Sequence, residues 1–138
     1  MARRAAFFLL PVLLAGCSVF SDIRDERYAK NNGIGDRWLS DQFETAEMNV
    51  AGKWMSGDWG HGSLEQNGRK VTGTLGGYNV TGVVSGRRLY LLIADGEWYY
   101  YSAVLDNPSP GVLTGRFSRA IPYVKTLSRP MRLDELAH

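Results

Sequence analysis

Four turn dipeptides constrain this chain most: Asn67-Gly68, Gly76-Gly77, Ser85-Gly86 and Asp95-Gly96 follow one another at spacings of nine, nine and ten residues. Such dipeptides favour the two-residue turns that join antiparallel neighbours. The runs between them are rich in Val, Thr, Leu and Tyr, as strands require. Successive tight hairpins give an up-and-down meander. Side chains alternate along a strand, and the residues flanking a two-residue turn share a face. With Leu75 paired to Tyr78, one face collects Val71, Gly73, Leu75, Tyr78, Val80, Gly82 and Val84. It continues forward through Arg87, at a strand end where its charge reaches water, and Leu89, Leu91 and Ile93 to Trp98, Tyr100, Ser102 and Val104, and backward to Leu64 and Gly62. One apolar face held across four independently placed turns indicates an all-β domain.

Further strands are expected over 51–59, 63–66, 112–118, 123–128 and 131–133, for a total of about eight. A strand set of that length, with one apolar face and no helix to cover it, closes most economically into a small barrel; a strongly curved open sheet is the competing shape. The other face is polar in its early strands (Thr72, Thr74, Asn79, Thr81) and aromatic later. The same pairing sets Tyr90 opposite Tyr101 and Leu92 opposite Tyr99. Those four residues form a candidate surface for a protein partner, since exposed apolar patches mark interaction sites. The alternative is cover from the preceding segment through Trp38 and Phe43.

That preceding segment, residues 17–49, reads as a polar tether with four basic against seven acidic side chains, broken by Gly33 and Gly35. A short helix is expected over 36–47, with Asp36 as N-cap and Trp38, Leu39 and Phe43 as its apolar face. Ahead of the tether, Arg3 and Arg4 precede an apolar run over 5–15. The run is too short for a bilayer span, which takes roughly 20 residues, and it has the form of a secretory signal. Its end, Leu14-Ala15-Gly16-Cys17, resembles the lipobox of bacterial lipoproteins. The resemblance implies a signal peptide over 1–16, lipid on Cys17 and a membrane anchor. With Ser18 rather than aspartate after the cysteine, it also implies the periplasmic face of the outer membrane in a bacterium with two membranes. Cys17 is the sole cysteine, so no intramolecular disulfide can form.

Loss of residues 1–16 removes Arg3 and Arg4 from sixteen basic side chains and leaves fourteen against fourteen acidic ones. The pI of the whole chain is therefore not read as a nucleic-acid footprint, and no nucleic acid is expected as a partner. Residues 50–138 suffice for one small domain. Gly52-Lys53-Trp54 at its head resembles the Gly-x-Trp of the first strand in calycins, the lipocalin and avidin group of barrels. That resemblance implies that Trp54 plugs one barrel end and that an arginine, Arg129 or Arg132, packs over it.

No catalytic constellation stands out. His61 lies between glycines in an expected turn, and His138 is terminal. A metal site would want a second His or Cys at ligand spacing, so neither metal nor cofactor is expected. The carboxylates Asp58, Glu65, Asp95, Glu97 and Asp106 fall at turns or on the polar face, and none is singled out as one of a pair. Two non-enzymatic functions follow. The first is a structural or adaptor lipoprotein of the cell envelope, using Tyr90, Leu92, Tyr99 and Tyr101 on a protein partner. The second is a binding module whose barrel holds a small hydrophobic or aromatic ligand between Trp54, Tyr78, Trp98 and Tyr100.

Overall fold

A computed structural model of the chain describes residues 26–136; the expected signal segment, Cys17, Ser18 and His138 lie outside the described residues. The chain divides between Lys30 and Asn31 into two units, and every contact given below lies within the second. Residues 26–40 are helical (α1). Eight strands follow: β1 (Gly52–Ser56), β2 (Gly60–Asn67), β3 (Lys70–Leu75), β4 (Tyr78–Ser85), β5 (Arg88–Asp95), β6 (Trp98–Ser109), β7 (Val112–Ser118) and β8 (Ser128–Glu135). Each pairs antiparallel with the next, and β8 returns to β1, so the sheet is a closed up-and-down barrel.

The turns differ from expectation in a way that leaves most of the inner face unchanged. Gly68, Gly86 and Gly96 are the first of the two loop residues, with φ near +60°, and the closing pairs are Asn67 with Lys70, Ser85 with Arg88 and Asp95 with Trp98. Glycine takes the left-handed conformation that this position demands without a Cβ penalty. The register therefore moves by two residues, an even number, and the same side chains stay inside: Leu64 faces Gly73, Val80 faces Ile93 and Gly82 faces Leu91.

The expected face fails at β6. Ala94 pairs with Tyr99 but Ile93 pairs with Tyr101, so Tyr100 is an extra residue, and a single bulge reverses the alternation beyond it. Tyr100, Ser102 and Val104 are thus not the inner face of this strand, while Trp98, ahead of the bulge and paired with Asp95, keeps the expected side. Tyr101, Ala103 and Leu105 are. Ala103 and Leu105 are fully buried beside Leu89, Leu91 and Ile93.

Other parts of the chain also differ from expectation. Residues 123–128 are not a strand: a 3-10 turn, Lys125–Leu127, precedes a single strand, β8, that runs on through 131–133. Arg116 holds this junction, its Nε donating to Ser128 Oγ and its Nη2 to Ser128 O at 2.7 and 2.9 Å. The helix runs over 26–40 rather than 36–47, so Asp36 is an interior residue rather than the N-cap, and Gly33 and Gly35 lie within the helix. Residues 31–49, expected in the tether, belong to the barrel's own unit. His61 lies in β2, opposite Met55, rather than in a turn.

Candidate functional site

The barrel interior is occupied by its own side chains. Trp54, Leu64, Leu75, Leu91, Met131 and Leu133 belong to one continuous buried cluster. Trp54 points inward and donates from its indole Nε1 to Val50 O at 2.9 Å. Neither Arg129 nor Arg132 covers it, since both are exposed. Arg132 is turned to Asp134 at 3.0 Å, and this hydrogen bond and charge lower the Asp134 pKa.

A strap formed by residues 42–50 closes the end of the barrel that holds the β2–β3 and β4–β5 turns. Glu47 N donates to Gly86 O and Gly86 N to Thr45 O, a parallel bridge between Ala46 and Gly86. Gln66 accepts from Val50 N through Oε1 and donates through Nε2 to Met48 O at 2.8 and 3.0 Å. Ala46 and Met48 pack against the interior from this strap. Phe43, expected on the apolar face of the helix, instead lies outside it with 77% of its surface exposed.

An aromatic cluster closes the other end. Trp59, from the β1–β2 turn, sits edge-to-face against Tyr78, Tyr101 and Phe117 with ring centroids 5.0–5.5 Å away. Offset and edge contacts of this kind add stabilisation beyond area burial. The indole Nε1 of Trp59 is buried without a hydrogen-bond partner among the described residues. The Tyr78 pKa is raised, first by the neighbouring Tyr101 phenol and the hydrogen bond to it. Sequence reasoning missed Trp59 and Phe117. The sole cue to Trp59 was an apolar ring set among Gly57, Asp58 and Gly60, where a turn needs none.

The eight residues singled out from sequence do not assemble as two sites. Of the ligand set, Trp54 is core, Tyr78 belongs to the aromatic end, Trp98 is half-buried and Tyr100, the bulge residue, is exposed. Of the partner set, Tyr101 turns inward, so Tyr90 faces Val104 and Leu92 faces Ser102. The rest of that patch is covered by α1. Trp38 sets its ring edge-on to Tyr90 at 5.7 Å, and Leu92 is fully buried. Asn32 donates to Glu97 O and accepts from Tyr99 N, at 2.7 and 3.0 Å. Helix cover, the alternative to a free docking face, accounts for Tyr90, Leu92 and Tyr99, through Trp38 but not Phe43.

No known protein family, curated protein or solved structure matches this chain.

An open, polar groove of about 400 Å³ remains on the outside, lined by Phe43, Glu44, Ser85, Arg87, Arg88 and Tyr90 among others. Arg88 is held there by Asp106 at 2.8 Å, and the same contact raises its pKa. Among the described residues no three His, Cys, Asp or Glu side chains gather closely enough to hold a metal ion, and no helix is long and apolar enough to cross a membrane.

Proposed function

We propose that this protein is a lipid-anchored lipoprotein of the cell envelope, held at the periplasmic face of the outer membrane through Cys17 and acting as a structural or adaptor module rather than an enzyme. The filled barrel carries this reading. Side chains occupy the interior, a strap covers one end and an aromatic cluster the other, so the outside is the surface left for work. Leu14-Ala15-Gly16-Cys17 supplies the anchor, and several acyl chains at about 0.8 kcal/mol per buried methylene make such anchoring effectively permanent. Tyr90, Leu92 and Tyr99 serve this chain's own helix, which moves any partner surface away from them.

The test is metabolic labelling with an alkyne palmitate in a two-membrane host, followed by membrane fractionation. Label is expected in the outer-membrane fraction for the natural sequence and lost in Cys17→Ser. An unlabelled natural protein would sink the anchor.

A second reading is favoured by the unpartnered indole N–H of Trp59. Here Trp59 occupies a seat between Tyr78, Tyr101 and Phe117 that a planar aromatic ligand takes in its place. Titration with indole and naphthalene probes should then red-shift the tryptophan emission as the ring moves into water; an unmoved spectrum at saturating probe rejects this reading.

A further inference from the structure

The β7–β8 connection, residues 119–127, carries apolar side chains that packing does not explain. Its 3-10 turn, Lys125–Leu127, buries no residue. Leu127 leaves 69% of its surface in water, and Val124 is also exposed. A loop that needs only to join two strands has no use for an exposed leucine just ahead of β8. The stretch of sequence around it carries charge of one sign. Between Asp106 and Asp134 the sequence has no acidic residue, and it carries Arg116, Arg119, Lys125, Arg129 and Arg132. Two of these are spoken for, Arg116 by Ser128 and Arg132 by Asp134; Arg119, Lys125 and Arg129 are exposed and flank Val124 and Leu127 along the chain. Asp58, Asp95 and Glu97 lie at the same end of the barrel, but on the β1–β2 and β5–β6 turns.

The second observation is where the chain joins the barrel. Asn32 is bonded to Glu97 O and Tyr99 N, beside the β5–β6 turn. That turn and the β7–β8 loop lie at the same end of an up-and-down barrel. Asn32, at the start of the second unit, therefore lies at the end that displays Leu127.

We propose that the 119–129 rim is a membrane-contact surface. Leu127 and Val124 enter the headgroup region of the bilayer that carries the acyl anchor, while Arg119, Lys125 and Arg129 lie against anionic lipid phosphates. Exposed apolar side chains with basic ones close by in the chain are what interfacial binding requires. The contact fixes which end of the barrel faces the lipid and leaves the strap end, with Phe43 and the polar groove, pointing away. The proposal rests on the anchor for its choice of membrane.

The test uses the processed chain, residues 17–138, with Cys17→Ser, so that neither the apolar signal nor an acyl group is present, and Thr126→Cys labelled with an environment-sensitive fluorophore. A matching protein carries the label at Lys70→Cys, in the β2–β3 hairpin at the opposite end. With vesicles of mixed phosphatidylglycerol and phosphatidylcholine, the label at 126 should shift to the blue and the label at 70 should not. Adding Leu127→Asp should weaken vesicle binding by about tenfold or more, as expected for removing one buried leucine from the contact; an unchanged circular dichroism spectrum shows that the fold survives. A label at 126 that stays in water, equal shifts at both ends, or undiminished binding by Leu127→Asp would each overturn the proposal, the first in favour of an acidic protein partner for this loop. Palmitate labelling of Cys17 fails or succeeds separately, because no acylated protein enters the vesicle experiment.

Discussion

Tyr99 donates its phenolic hydroxyl to the Asp36 carboxylate at 2.6 Å, joining the middle of α1 to the first turn of β6. Burial and this hydrogen bond raise the Tyr99 pKa well above its ordinary value of 10.0. The native state thus holds the proton more tightly than the unfolded chain. The stabilisation is fully present below about pH 10 and is lost as the pH climbs from there through the native value. Tyr99→Phe should cost about 1 kcal/mol at neutral pH and flatten the alkaline fall in stability, as read from urea midpoints across the pH range.

Gly33 and Gly35 are two residues apart in one helix and should respond oppositely to alanine. A Cβ on Gly33 meets nothing within 4 Å, whereas one on Gly35 would lie 2.9 Å from the Tyr99 ring and 3.0 Å from Leu92 Cδ1. Gly33→Ala should stabilise by roughly 0.5–1 kcal/mol through helix propensity alone. Gly35→Ala should destabilise by about 1–3 kcal/mol, because the helix must lift from β5 and β6. Thermal midpoints of the two variants, one above and one below the parent, check both.

Tyr101→Ala should cost about 3 kcal/mol or more, since it opens the aromatic end that Trp59 closes. Phe43→Ala should change stability by less than about 0.5 kcal/mol, as exposed positions do. If Tyr101→Ala were the neutral one, the inward placement of that ring would be wrong.

Leu91→Ala should lower stability by about 3 kcal/mol and leave a dry apolar cavity inside the barrel. Benzene should then raise the melting temperature of the variant and leave that of the parent unchanged. A parent stabilised by benzene would show that its interior is not filled.

β3 and β4 were readable because Val and Leu alternate there with Thr and Asn, and β5, apolar on both faces, took its phase from them, so a register error of two residues still kept each side chain on its face. β6 opens with Trp98, Tyr99, Tyr100 and Tyr101. Four aromatic residues in a row give no contrast between faces, and nothing local marks Tyr100 as the extra one. That is why Tyr101 was expected outside and Ser102 inside. The loop at 123–128 was misread because Tyr123 and Val124 have strand-like side chains, while what shapes it is long-range: the clamp of Arg116 on Ser128. The helix extends past two glycines that read as breaks. Tertiary contact overrides propensity there, with Gly35 admitting Leu92 and Tyr99. The covering role of Trp38 was legible from its place in an amphipathic segment; the aromatic end was not, because Trp59 and Phe117 come from distant turns and strands.

The ring of strands is sealed unevenly. β1 and β8 share just two paired positions, Trp54 with Glu135 and Met55 with Asp134, helped by Leu136 N donating to Lys53 O, while β4 and β5 share seven. Thermal fluctuation that unzips the molecule should begin at this narrow joint, and amide exchange should be fastest there. Once it parts, two bare strand margins become available to other copies, so a few backbone bonds near the C-terminus decide whether crowded molecules stay separate or begin to polymerise.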